Sequence, residues 1–126
     1  MKEIIAIIRM NMVSKTKDVL LKEGFPSITC KKVMGRGKKK VAYELFNHVT
    51  TGEVITPVMA EQLSEQHRLI PKRMIIIIVD DTDVSKVTKI IIKANKTGNL
   101  GDGKIFVSTV DDAIRVRTGE IGIEAI

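Results

Sequence analysis

The residue types best suited to chemistry lie in one stretch, Thr97-Gly98-Asn99-Leu100-Gly101-Asp102-Gly103-Lys104-Ile105-Phe106. Glycines let a turn present successive backbone N–H groups, and such a concave row of donors cradles phosphate oxygens. Lys104, at its exit, adds a compact positive charge for the same anion. Farther on, Arg115-Val116-Arg117 reads as an extended segment. Side chains alternate along such a segment, so the two guanidiniums share a face. Cradle, lysine and paired arginines make a candidate polyphosphate site. The alternative is a Gly-rich loop joining a helix to a strand, with solvated arginines on an edge. Gly35-Arg36-Gly37-Lys38-Lys39-Lys40 is a second candidate anion contact, or a solvated basic turn.

The composition fits such a site. A net charge of +6 and a pI near 9.6 ask for an anionic partner: nucleotide, nucleic acid or an acidic protein surface. Aromatics are scarce at 3% and tryptophan is absent, which argues against a stacking platform for single-stranded nucleic acid. No Ser/His/Asp or Cys/His constellation is present, so a non-enzymatic role is expected. His48 and His67 stand apart, without cysteine or carboxylate at metal spacing, and no metal site is expected from this chain. The single cysteine, Cys30, suits a reducing cytoplasm and reads as a small core residue. The longest apolar run, Met74 to Val79, is far short of the ~20 residues of a membrane span. The amino end lacks the pattern of a signal peptide.

These residues need elements to position them. The 126 residues suit one domain, 1–126. Lys2 to Arg9, short and nearly all apolar, predicts a buried strand. Ser14 is an N-cap candidate for a helix to Glu23, stopped by Gly24. Ile28 to Met34 predicts a second strand. From Gly37 to Pro71 no core-forming period persists. Tyr43 to Phe46 and Val54 to Val58 suggest a loose hairpin, and Ala60 to Arg68 a short polar helix. Met74 to Val79 predicts a central strand covered on both faces. Asp80 to Asp83 supplies capping carboxylates for a helix whose apolar positions are Val84, Val87, Ile90, Ile91 and Ala94. Lys104 to Val107 and, after Asp111-Asp112, Ile114 to Arg117 predict the last strands. The order is an α+β, ferredoxin-like βαββαβ fold with an antiparallel sheet and both helices on one face.

Thr97 to Val107 resembles the B-loop signature of the PII signal-transduction proteins, and Arg115-Val116-Arg117-Thr118-Gly119-Glu120 resembles their C-terminal signature. Gly35-x-Gly37, the long excursion of about 37–71 and Pro71-Lys72 are similar to the base of their T-loop. The resemblance covers nearly the whole chain. It implies a trimer, with ATP or ADP in clefts between subunits, Mg²⁺ possible with ATP, and 2-oxoglutarate as effector. It places Gly101, Asp102, Gly103 and Lys104 around the phosphates, with Arg115 and Arg117 from the neighbouring subunit. Thr29, Gly35, Gly37, Lys38 and Ile78 would line the pocket, and Lys72 would meet the 2-oxoglutarate carboxylate.

Two departures shape the expectation. The T-loop is longer than in the regulators of glutamine synthetase and ammonium transporters. Lys39 stands where relatives carry the glutamine that holds Mg²⁺ and 2-oxoglutarate, and an ammonium cannot ligate a cation. 2-Oxoglutarate binding at this subunit is therefore expected to be weak, altered or borrowed from a partner. The long loop is similar to the NifI branch, second paralogue. That implies a homotrimer, or a mixed oligomer with a PII-like paralogue, that switches off nitrogenase through its molybdenum–iron component. Lys39, Lys40, Tyr43 and Phe46 would make the partner contact. Regulation of an ammonium transporter or glutamine synthetase is the alternative, and a ferredoxin-like RNA-binding module a distant one. No nucleic acid partner or membrane insertion is expected.

Overall fold

The apolar run at the amino end forms the middle of a sheet. In the computed structural model, which describes residues 1–37, 56–58 and 68–126, strand β1 is Lys2–Arg9, β2 Thr29–Gly35, β3 Ile70–Val79 and β4 Lys104–Thr109. Their order across the sheet is β2-β3-β1-β4, and β1 runs antiparallel to both of its neighbours. Two helices, α1 (Val13–Lys22) and α2 (Val84–Asn95), complete the ferredoxin-like arrangement. The chain divides into one unit of Met1–Val33 with Pro71–Ile126 and a smaller one of Met34–Ile70.

Strand register explains the core. Ile4 faces Ile77 across β1 and β3, and Ala6 faces Ile75. These four, with Ile8 and Val79, are buried against Leu20 of α1 and Val87 and Ile91 of α2. The alternate residues, Ile5, Ile7, Met74, Ile76 and Ile78, point to the other face and are only partly buried. The expectation that β3 is covered on both faces therefore fails within one chain, because both helices pack on a single side. Phe106, which pairs with Ile5 on that open face, is 54% exposed. Truncating a core-face residue is costly. Ile75→Ala should lower unfolding stability by about 2–5 kcal/mol, read from the urea midpoint.

The helix ends differ from expectation in instructive ways. Ser14 is not the N-cap. A 3₁₀ turn, Met10–Met12, feeds α1 directly, and its N-cap is Met12 with no side-chain bond. Gly24 does stop the helix: at φ +91° it lets the Gly24 N–H donate to the Leu21 carbonyl and Phe25 N–H to that of Leu20. This is the paired closure that satisfies a helix's last carbonyls. Asp80 caps, but for the 3₁₀ turn Asp81–Asp83 ahead of α2, accepting from the Thr82 N–H at 3.3 Å. Between the helices, buried Asn95 donates to the Thr16 hydroxyl at 3.0 Å, a polar tie inside an apolar layer.

Three further expectations need correction. Cys30 is exposed, because β2 is an edge strand whose residues Thr29 to Lys32 lie open throughout. Pro57 and Val58 are helical rather than strand-like. Proline lacks a ladder N–H and its fixed φ suits a first helical turn. The predicted final strand is absent: only an isolated bridge pairs Ile114 with Ile121. The chain folds back between them, with the Gly119 N–H donating to the Arg115 carbonyl at 2.7 Å. The expected residues Lys38, Lys39, Lys40, Tyr43, Phe46, His48 and His67, and most of the predicted hairpin and polar helix, lie outside the described residues.

Candidate functional site

The Gly-rich stretch forms a loop between α2 and β4, and one carboxylate organises it. Asp102 Oδ2 accepts from the backbone N–H groups of Thr97, at 2.8 Å, and Gly98, at 3.0 Å. Its Oδ1 accepts from the Thr97 hydroxyl and from Arg9 Nη1, the latter at 2.6 Å. The hydroxyl and N–H of Thr97, then Arg9, hold the Asp102 carboxyl far below the usual carboxylate range. The loop closes because two cations from the sheet reach across it. Arg9 Nη2 donates to the Leu100 carbonyl at 3.0 Å, and Lys72 Nζ to that of Gly101 at 3.0 Å. Register explains their convergence: Arg9 pairs with Lys72, and Ile7 pairs with Lys104, all on the open face.

Gly101 and Gly103 have φ of +98° and +114°. At Gly103 a side chain would run into the Ile7 carbonyl, whose carbon lies 3.1 Å from an added Cβ. With the carbonyls of Leu100 and Gly101 drawn to Arg9 and Lys72, the N–H groups of Gly101 and Gly103 find no acceptor among the described residues. Uncommitted donors followed by the exposed Lys104 suit an anion. Asp102 plays a different part from its neighbours, turning its carboxylate inward to shape the loop.

The other expected residues lie elsewhere. Ile78 pairs with Glu3 on the same open face, four positions along β3 from Met74, the partner of Ile7. That is about 13 Å at strand rise. Arg115 and Arg117 lie at the far end. From Lys104 beside Ile7, β4 runs to Thr109 beside Lys2, after which the Val110 N–H donates to the Met1 carbonyl. Beyond it, Arg115 Nη1 pairs with Glu120 at 2.8 Å and its Nη2 donates to the Glu124 carbonyl at 2.8 Å. The closing 3₁₀ turn, Gly122–Ala125, borders a hollow of about 380 Å³ shared with Phe25, Pro26, Ile78 and Val79. So the two guanidiniums do not share one extended face as predicted. Arg115 is tied down locally while Arg117, in the turn, is exposed. Thr29 opens β2 and is exposed; Gly35 closes it. Neither Gly35 nor Gly37 has a backbone demand for glycine, since an added Cβ meets nothing within 4 Å and φ is not positive.

Sequence reasoning missed Arg9 as a member of this site, reading it only as the charged end of a strand. The available signal was parity, because Arg9 lies two residues from Ile7 and so shares its face. Thr97 with Asp102 carried a second signal. A hydroxyl and a carboxylate flanking glycines are the residues that fold turns onto their own backbone.

With this geometry in view, the relatives are informative. The family model "Nitrogen regulatory protein P-II" matches residues 1–120. The chain belongs to the PII family. It is thus a nitrogen regulatory protein by family, with the ferredoxin-like fold of that family. It is 48% identical, over the full length of both chains, to a protein of Methanothermobacter marburgensis named "Nitrogen fixation nifHD region GlnB-like protein 2". A protein of the same name from Methanothermococcus thermolithotrophicus is 49% identical over all of this chain and 98% of the relative. "Nitrogen regulatory protein P-II 2" of Methanothermobacter thermautotrophicus is 38% identical over all of this chain and 97% of the relative. Among the described residues, no helix of this PII chain is long and apolar enough to cross a membrane.

Proposed function

We propose that this PII chain is a non-enzymatic cytoplasmic regulator that binds ATP and ADP between neighbouring copies, responds to 2-oxoglutarate, and switches off nitrogenase. The contact with the molybdenum–iron component is made by the excursion of about 37–71. The observation that carries the nucleotide reading is a separation: the loop with Lys104 and the turn with Arg115 and Arg117 lie at opposite ends of β4. Its six residues span about 17 Å. One chain does not bring these cations together around one polyphosphate, whereas a head-to-tail neighbour would, and such contacts form a ring where the rotation closes. The partly exposed apolar open face favours assembly with other copies, which by the family resemblance would be a trimer, of this chain alone or mixed with a PII-like paralogue.

The residues present fit a nucleotide. The uncommitted N–H groups of Gly101 and Gly103, with Lys104, suit terminal phosphates. Ile78, about 13 Å along the same face, offers an apolar surface at a distance that an extended nucleoside triphosphate spans. Lys72, whose ammonium lies beside the loop on the Gly101 carbonyl, is our candidate to meet a 2-oxoglutarate carboxylate. Lys39 offers no ligand to Mg²⁺, which would be carried by the phosphate oxygens. The nitrogenase target is supported by the names of the relatives, which refer to the nifHD region. For 2-oxoglutarate with ATP to release the enzyme, both must bind the undocked excursion better than the docked one.

Calorimetric titration with Mg-ATP and then 2-oxoglutarate, alone and with the paralogue, tests the reading. Arg115→Ala/Arg117→Ala should weaken ATP binding at least 100-fold, because two charge-assisted bonds contribute roughly 3–6 kcal/mol. Circular dichroism should show a folded chain. Mixing this variant with Lys104→Ala chains should restore a fraction of the sites, since some interfaces then combine two intact halves. Undiminished affinity in the double variant sinks the shared site. Tight 2-oxoglutarate binding without the paralogue overturns the argument from Lys39. Copurification of an ammonium transporter or glutamine synthetase in place of nitrogenase would redirect the target.

A further inference from the structure

The loop contains a carboxylate where an anion is expected to bind, and negative charge beside a phosphate site weakens it unless it does something else. Asp102 accepts four hydrogen bonds: two from backbone N–H groups, one from the Thr97 hydroxyl and one from Arg9. Arg9 is three-quarters buried, and its second nitrogen fixes the Leu100 carbonyl. Both charged groups are spent on each other and on the loop.

We propose that Asp102 and Arg9 are positioning residues of the phosphate loop, not phosphate ligands: the carboxylate gathers the loop's first two N–H groups and Arg9 its carbonyl, leaving the N–H groups of Gly101 and Gly103 for the anion. The proposal rests on the nucleotide reading above and assigns shape, not charge, as the contribution of this ion pair. It also accounts for the spacing. Thr97 and Gly98 lie far enough ahead of Asp102 for the chain to turn through Gly101, whose positive φ permits the reversal.

The sign of one substitution separates shape from charge. Asp102→Asn removes a negative charge from an anion site, so a site governed by charge should bind ATP more tightly. An amide cannot do what the carboxylate does here. Whichever way it is turned, its NH₂ meets donors, either the Thr97 and Gly98 N–H groups or the Arg9 guanidinium. Positioning therefore demands the opposite result, with affinity for ATP and for inorganic tripolyphosphate falling at least tenfold. Arg9→Lys, which keeps the charge but cannot span Asp102 and the Leu100 carbonyl in the same fork, should also weaken both ligands.

Amide hydrogen exchange supplies a readout that does not depend on ligand. The Thr97 and Gly98 amides should be protected in the wild type and exchange freely in Asp102→Ala, which leaves neither an acceptor. Binding as tight as wild type, or tighter, in Asp102→Asn overturns the positioning role and leaves the nucleotide reading standing. A wild-type chain that binds neither ATP nor tripolyphosphate, with or without the paralogue, overturns the nucleotide reading and this proposal with it. If Asp102→Asn fails to fold by circular dichroism, Arg9→Lys decides in the same way: weakened binding supports the role and full affinity overturns it.

Discussion

Gly103→Ala should destroy anion binding and destabilise the body of the protein together, a larger effect than any other single glycine substitution in the loop. At φ +114° any L-residue is strained, which by itself costs about 1–3 kcal/mol. The added Cβ also runs into the Ile7 carbonyl, which belongs to β1, one of the two inner strands of the sheet. Backbone cannot swing aside as a side-chain end can, so β1 and the start of β4 must part. That overpacking adds a further ~1–3 kcal/mol. At roughly 4 °C per kcal/mol, thermal unfolding at fixed protein concentration should fall by about 8–24 °C. Gly98→Ala is the matched control. Its φ is also positive, but an added Cβ meets nothing within 4 Å, so only the strain remains. Equal melting temperatures for the two variants would show that the approach to Ile7 does not govern this loop.

Most of the fold was readable in the sequence because the periods that signal it are local. Lys2 to Arg9 and Met74 to Val79 are strands, Val87, Ile91 and Ala94 line the buried side of α2, and Gly24 ends α1 as expected. What local pattern could not convey was the company each element keeps. The β-branched run of β3 has the composition of a strand covered twice, yet its own chain covers it once. Cys30 has the composition of a core residue, but β2 lies at an edge. Ile114 to Arg117 has a strand's alternation, but a 2.7 Å bond across Arg115 and Gly119 turns it back.

The candidate site shows the same division. The glycines and Lys104 mark a candidate anion loop by type and spacing, since a row of N–H donors needs only neighbours in sequence. Arg9, Lys72 and Asp102 meet through the register of three strands, and register is invisible until pairing partners are known. Spacing also failed to distinguish a carboxylate that faces the ligand from one that faces the backbone. Asp102 belongs to the second kind because Thr97 and Gly98 precede it with their donors free.

Phe106→Lys should dissociate the assembly without unfolding the chain, and ATP binding should go with it. Phe106 is 54% exposed and turned away from the core, so in a chain that acts alone this exchange changes stability by only about 0.5 kcal/mol. If the open face is covered by neighbouring copies, the same lysine becomes an unpaired buried charge, and placing it there costs several kcal/mol per subunit. Sedimentation should then show a trimer for the wild type and a monomer for the variant at micromolar concentration, with unchanged circular dichroism. Because the two cationic halves of the proposed site lie at opposite ends of the sheet, the monomer should bind ATP at least 100-fold more weakly, the loss expected for removing both arginines. A variant that remains trimeric would move the assembly surface elsewhere. A monomer that binds ATP with full affinity would place the whole site within one chain, and Arg117 would then have to be reached along the sheet rather than across an interface.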